Sequence, residues 1–244
     1  MKDSQYKNNH AILYKQFKEK DSYIRIAKAQ ITFILMFFGD LKEKNIIEYG
    51  CGFGFFSNEF SKYNPKRIVG LDVSLDMLDL AKETARNNEL NIEYYNHNCC
   101  EINPFGSIFD INFTSYVLTS CQSVKDLESF IISIHDSLKE NGISIGILPN
   151  IFPDDDSLRV KNNIINFVQG DSENIKQNVN FLDDCGNVLF QTQECHYSKL
   201  VYKTIFERTG FKNFKFIDFT EDNTYGFDSE IMKIYGVLYY AEKI

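Results

Sequence analysis

Apolar positions along this chain follow two rhythms, which meet near residue 39. In residues 6–38, Ala11, Leu13, Tyr14 and Phe17 recur at helical spacing and predict a first helix. Asp21 or Ser22 can cap a second helix running to Phe38, with Gly39 placed to stop it. From Asn45 onward, short apolar runs bounded by glycine or asparagine alternate with amphipathic segments. Strands are expected at 46–49, 67–72, 92–97, 109–118 and 142–148, with helices near 54–63, 75–87 and 123–140. The last helix is the clearest, because Val124, Leu127, Ile131, Ile134 and Leu138 are spaced 3, 4, 3 and 4 along one face. Such alternation predicts βαβ units and an α/β fold, a parallel sheet covered on both faces.

Past Pro149 the rhythm breaks. Residues 150–180 are polar and uneven, with Asp154 to Asp156 most simply a solvated loop. Phe181 to Phe190 reads as a hairpin around Asp184-Cys185-Gly186-Asn187. A helix at 198–209 should end at Gly210, followed by strands at 212–219 and 233–240. No internal repeat or low-complexity linker divides the chain. A single domain is expected, with a helical cap (1–39), a core (40–150), an insertion (151–197) and a return to the core (198–244).

Composition narrows the function classes. The 244 residues are 43% hydrophobic and 25% charged, the mixture of a soluble globular protein. The longest near-continuous apolar stretch, Ile31 to Phe38, is too short for a membrane span, and no secretory signal is visible. The six cysteines form no paired metal pattern or disulfide framework, so reduced thiols and a cytoplasmic location are expected. No two histidines stand at zinc-binding spacing, so no metal is expected. A net charge of −8 disfavours a sequence-independent binder of nucleic acid phosphates.

The strongest local signal is Glu48-Tyr49-Gly50-Cys51-Gly52-Phe53-Gly54, where the first strand turns into a helix. Glycines there permit a tight turn and close approach of a ligand to the backbone. A dinucleotide fingerprint would need a glycine where Phe55 stands, which lowers an NAD-dependent oxidoreductase. The E-x-G-x-G-x-G spacing resembles motif I of class I S-adenosylmethionine-dependent methyltransferases. Later segments extend the resemblance in order and spacing: Asp72 at the end of the second strand, Ile92 to Cys99, Phe109 to Leu118, Leu138-Lys139-Glu140-Asn141-Gly142, and Glu207-Arg208-Thr209-Gly210-Phe211. It covers about residues 40–150 and 195–240. It implies a Rossmann-like, mostly parallel seven-stranded sheet with helices on both faces, N-terminal helices and an inserted flap. The hairpin before His196-Tyr197-Ser198-Lys199 looks like the flap of the small-molecule, toxoflavin-biosynthesis-type group.

The resemblance also implies a cofactor site. Asp72 would bind both ribose hydroxyls, with Val73 beside it and Met77 against the adenine, although a helix methionine equally suits the core. Asn98 stands where the family has an aspartate reading the adenine amine, and the Cys99 N–H would serve a ring nitrogen. Glu48 would pair with the cofactor ammonium, and Gly50 and Gly52 would let the methionine portion pass. Ser115 and Tyr116 end a parallel strand, where open α/β sheets bind ligands. Tyr14 and Arg25 fall in the N-terminal helices, Arg25 as a partner for the methionine carboxylate; both also read as plain surface residues. Tyr116 and His196 are the candidates for proton handling. His10 and His135 are expected at the surface, and His97 behind the site. The implied reaction is methyl transfer from S-adenosylmethionine, leaving S-adenosylhomocysteine, to oxygen or nitrogen of a small molecule, by a monomer or homodimer. Phe152, Phe167, Phe181, Phe190 and Tyr197 suggest an acceptor with an apolar or aromatic face. Alternatives are a protein or nucleic-acid methyltransferase, aminopropyl transfer on the same fold, and a non-catalytic cofactor-binding protein.

Overall fold

Ile46 and Ile47 show how the fold is built: as neighbours on one strand they point to opposite faces, and each is fully buried against a different set of helices. A computed structural model describes residues 5–7, 9–153, 165–170 (backbone only), 174–183, 185–219 and 236–244. Two helices, α1 (Asn9–Lys18) and α2 (Asp21–Phe38), lead into β1 (Asn45–Tyr49), α3 (Phe55–Ser61), β2 (Arg67–Asp72), α4 (Leu75–Asn87) and β3 (Glu93–Asn96). Then come β4 (Phe109–Ser115), a 3-10 turn (Leu118–Ser120), α5 (Val124–Ser137) and β5 (Leu138–Leu148). Beyond them lie β6 (Ile165–Gly170), β7 (Asn174–Leu182), β8 (Val188–Tyr197), α6 (Lys199–Thr209), β9 (Phe211–Ile217) and β10 (Val237–Lys243).

Seven strands form one sheet in the order β3-β2-β1-β4-β5-β10-β9. The first five are mutually parallel, and β10 runs antiparallel between β5 and β9. Ile47, Tyr49, Val69, Leu71 and Phe109 pack against Leu127, Phe130, Ile131 and Ile134 of α5 and Tyr202, Ile205 and Phe206 of α6. Ile46, Ile68, Ile111, Phe113 and Ile145 pack against Ile26, Ile34 and Phe38 of α2 and Phe60 of α3. The central strands β1, β2, β4 and β5 are thus covered on both faces, as their near-continuous apolar runs require, while the edge strand β3 leaves Tyr95 and Asn96 exposed.

Helix ends follow local chemistry. Gly39 closes α2 at a positive φ of +63°, its N–H bonding Leu35 O at 3.0 Å, and Gly210 closes α6 in a left-handed turn. Neither Asp21 nor Ser22 caps α2; Lys20 holds that position with no side-chain cap. Helix α5 is shorter than its periodicity predicts, because Leu138 pairs with Phe109 as the first residue of β5. The strand expected at 109–118 ends at Ser115 and turns through the 3-10 segment. The expected hairpin is the end of a larger feature: β6, β7 and β8 form a separate three-stranded antiparallel sheet, with Phe181 opposite Phe190. Asp154 to Asp156, Asp184 and the start of the strand expected at 233–240 lie outside the described residues.

Candidate functional site

Order reverses in the main sheet at β1, which has β2 on one side and β4 on the other, and the carboxyl ends of β1 and β4 open a crevice. Beyond β1 the backbone N–H groups of Gly50 and Cys51 both bond Leu71 O, at 2.7 and 2.9 Å, fixing the turn to the end of β2. Gly50 has φ +69°, and a Cβ there would lie 2.3 Å from Val117 Cγ2, so only glycine fits. A Cβ on Gly52 would meet nothing within 4 Å. Space stands open over that residue.

Asp72 is held at this turn by two backbone donors. Gly52 N–H bonds its Oδ2 at 2.9 Å and Ser74 N–H its Oδ1 at 2.8 Å. Burial raises its pKa, and these bonds oppose the rise. Each oxygen keeps a further lone pair for a ligand donor. Glu48 is 2% exposed and accepts a hydrogen bond from Ser57 Oγ. Burial pushes its pKa up to about 8.

A pocket open to solvent, with about 630 Å³ of space when its open mouth is included, lies over the turn. Of the residues expected at a site, Tyr14, Glu48, Gly50, Gly52, Ser115 and Tyr116 line it. Tyr116 adopts φ +57°, uncommon for a non-glycine residue, and its hydroxyl accepts a hydrogen bond from the buried Gln30 Nε2 at 3.0 Å.

Other expected residues lie elsewhere. Arg25 is not brought to the site. Tyr23, Ile26, Ala27 and Gln30 line the cavity from one face of α2, and Arg25 points off that face and is exposed. The cation at the cavity is Lys18, whose Nζ lies 5.4, 4.6 and 5.0 Å from the ring centres of Tyr14, Tyr23 and Tyr116. Burial lowers its pKa to about 8, against the pull of the Glu194 carboxylate. Lys18 follows Tyr14 by one helical turn, a spacing that signals a shared face. Met77 is buried with Ala11 and Phe53 below the turn. Val73 O accepts a hydrogen bond from Asn96. Asn98 is engaged locally: its Oδ1 accepts from Cys100 N at 3.2 Å and its Nδ2 donates to Glu101 Oε1 at 3.0 Å. Cys99 is 2% exposed. His196 is buried on β8, its Nε2 3.3 Å from Glu194 Oε2, and does not line this cavity.

The remaining aromatic and histidine expectations divide. Phe152 packs on Phe216 in the core, and the Tyr197 hydroxyl donates to Cys121 O, so neither faces the cavity. Phe181 and Phe190 stack with centres 4.3 Å apart and meet Tyr14 at 5.5 and 6.4 Å. The Phe167 side chain lies outside the described residues. His10 is exposed yet stacks on Phe190, His135 packs edge-on against Phe211, and His97 Nε2 is buried without a hydrogen-bond partner among the described residues. Among the described residues no group of His, Cys, Asp and Glu side chains could hold a metal, and no helix is long and apolar enough to cross a membrane.

Comparison with known proteins agrees with this geometry. Residues 46–142 match the family described as "Methyltransferase domain". A Methanocaldococcus jannaschii protein provisionally named a protein N5-glutamine methyltransferase is 30% identical over 120 residues, 43% of this chain and 61% of that one. The malonyl-[acyl-carrier protein] O-methyltransferase of Legionella pneumophila is 39% identical over 72 residues, 27% of this chain and 25% of that one. The chain thus spans less than two thirds of the length of these curated relatives. The crystal structure of an S-adenosylmethionine-dependent methyltransferase from Clostridium acetobutylicum superposes with a TM-score of 0.66 at 16% identity, covering 97% of this chain and 99% of that one. Sheet order, the reversed β10 and these superpositions give the chain the class I S-adenosylmethionine-dependent methyltransferase fold.

Proposed function

We infer that the protein is an enzyme transferring a methyl group from S-adenosylmethionine to a small-molecule acceptor. The observation carrying this reading is the placement of Asp72: a carboxylate fixed by Gly52 and Ser74 N–H groups, at the lip of a glycine turn that opens a cavity. The ribose hydroxyls are assigned to Asp72, and the adenine to the pocket edge near Val73, Asn98 and the Cys99 N–H. The zwitterionic methionine end fits a cavity lined by one acid, Glu48, and one ammonium, Lys18. Lys18 takes the carboxylate role expected of Arg25. When bound, the cofactor supplies an activated methyl group, so the protein's work is alignment and exclusion of water. Tyr14 closes the cavity from α1, and Ser115 and Tyr116 face the reacting end.

We assign the separate antiparallel sheet as the flap that the resemblance to toxoflavin-biosynthesis-type enzymes implies, and take a small molecule, methylated on oxygen or nitrogen, as the acceptor. A cytoplasmic monomer or homodimer needing no metal completes the reading. A second reading, methylation of a protein side chain, draws on the Methanocaldococcus relative alone.

Calorimetry with S-adenosylhomocysteine tests the assignment. Charge-assisted hydrogen bonds contribute about 1.5–3 kcal/mol each, so Asp72→Ala should weaken binding tenfold or more. Equal affinity in wild type and variant would remove Asp72 from the site. Asn98→Asp should hold or improve affinity when combined with Glu101→Gln, because an aspartate keeps the acceptor that caps Cys100 N–H and the second change removes the like charge it would face.

A further inference from the structure

We propose that the inward face of the three-stranded sheet recognises the acceptor as an amine carried on an apolar or aromatic body. This rests on the methyltransferase reading above and specifies its acceptor.

Register places the face. Ile175 pairs with His196, Gln177 with Glu194, Val179 with Thr192 and Phe181 with Phe190, so these alternate residues share one side of β7 and β8. That side is turned toward α1, because Phe181 meets Phe17 at 5.2 Å and Phe190 meets Tyr14 and Tyr6. Along the strands the surface changes from aromatic to polar. Gln177 is 3% exposed, yet its Oε1 has no hydrogen-bond partner among the described residues; His196, 1% exposed, faces the Glu194 carboxylate with its Nε2 at 3.3 Å. A buried acceptor left without a partner destabilises the fold, a cost that an apolar side chain of similar shape would avoid. Both belong to a face that looks at the lid of the cofactor cavity.

The chemistry of the set selects its ligand. Gln177 Oε1 and the Glu194 carboxylate only accept hydrogen bonds, and they stand opposite one another across the ladder. An amine offers two or three donors to such a pair, a hydroxyl offers one, and a carboxylate or phosphate offers none and meets the charge of Glu194. Glu194 acts electrostatically on Tyr6, Tyr14 and Lys18, so it belongs to the same enclosure as the cavity. Lys18 is the opposing charge there. With the cofactor carboxylate beside Lys18, Glu194 is left to the acceptor.

The step balances without a further reactant. The acceptor ammonium R–NH3+ yields one proton to the Glu194 carboxylate that it meets across the ladder from Gln177. The freed lone pair then forms the N–C bond as the C–S bond breaks. The electron pair of that bond goes to sulfur, leaving neutral S-adenosylhomocysteine and R–NH2+–CH3.

Three probes that share one body test the claim: phenethylamine, 2-phenylethanol and 3-phenylpropionate, each titrated into protein saturated with S-adenosylhomocysteine. Phenethylamine is expected to bind at least tenfold more tightly than 3-phenylpropionate, with 2-phenylethanol between them, and to accept labelled methyl from S-adenosylmethionine. Glu194→Gln should erase the preference. Gln177→Met supplies a check on folding: it should melt no lower than wild type while losing phenethylamine affinity at least fivefold. A protein that binds S-adenosylhomocysteine but shows no preference for the amine, or binds none of the three, overturns this proposal alone. So does a Gln177→Met variant that binds phenethylamine like wild type. Failure of wild type to bind S-adenosylhomocysteine would instead sink the methyltransferase reading beneath it.

Discussion

Burying a carboxyl group at the head of a cavity makes its charged form unfavourable, and Glu48 carries that cost in the free protein. Its pKa stands at about 8, against an ordinary value of 4.5. A folded pKa above the unfolded one means the folded state holds an extra proton between the two values. Stability therefore falls as pH rises from about 4.5 to about 8, by roughly 1.4 kcal/mol for each unit of that interval. Glu48→Gln removes the group that titrates, so thermal melts should show the variant gaining on wild type steadily between pH 5 and pH 8. Parallel melting curves across that range would mean Glu48 ionises freely in the fold. Function runs the other way. An ammonium beside Glu48 needs the carboxylate, so S-adenosylhomocysteine affinity should rise at least tenfold from pH 6 to pH 8 in wild type, whereas in Glu48→Gln it should fall about twofold as Lys18, whose pKa stands at about 8, loses its charge. Tyr116 can be examined separately. Tyr116→Phe leaves the buried Gln30 amide without its acceptor, which costs about 1–3 kcal/mol in a denaturant melt. If Tyr116 also handles a proton, turnover falls more than twofold once an acceptor is in hand.

At the scale of elements, the parallel core was readable because its signals are local. One stretch of seven residues, Glu48 to Gly54, sets a strand end, a turn and the entry to α3, and Asp72 reports itself by spacing from it. Leu138 shows where local reading fails. It continues the 3-4 periodicity of α5, yet its pairing with Phe109, an interaction 29 residues distant, makes it strand. The second sheet was hidden for a related reason: Gln177 and Glu194 sit at inward positions and break the apolar alternation that marks a strand. Lys18, Tyr23 and Gln30 were missed because the way α1 and α2 lean over β1 is a tertiary fact. Helix α2 is fixed in the core through Ile26, Ile34 and Phe38, whereas α1 meets α4 and the glycine turn through Ala11 on Met77 and Phe53, and meets the second sheet through Tyr14 and Phe17 against the Phe181–Phe190 stack. Phe181→Ala should therefore cost about 3–5 kcal/mol locally and loosen α1 before the core. Hydrogen exchange in residues 9–18 should accelerate, while β1, β2 and β4 stay protected. Uniform acceleration would show that the cap and the sheet unfold as one.

Over the whole molecule, two halves with different origins of rigidity meet at the cavity. The floor is the covered parallel sheet, where Glu48 and Asp72 end buried strands; the lid is α1 with the antiparallel sheet, held by aromatic rings and a few polar contacts. A ligand that touches both halves selects the closed native state and stabilises it by mass action. At one hundred times its Kd that stabilisation is about 2.7 kcal/mol. For a domain of this size each kcal/mol raises the melting temperature by about 2–4 °C, so S-adenosylhomocysteine should raise it by roughly 5–11 °C. Asp72→Ala, at the same ligand concentration, should show about half that shift or less, since a Kd at least tenfold weaker lowers the ratio of ligand to Kd from one hundred to about ten. NAD supplies the decisive contrast. It carries the same adenosine, but the turn has Phe55 where a dinucleotide fold needs its third glycine for the pyrophosphate. NAD should therefore leave the melting temperature within a degree or so of the free protein. An NAD shift equal to that of S-adenosylhomocysteine would mean the site reads only adenosine, and the methionine end assigned to Glu48 and Lys18 would be wrong.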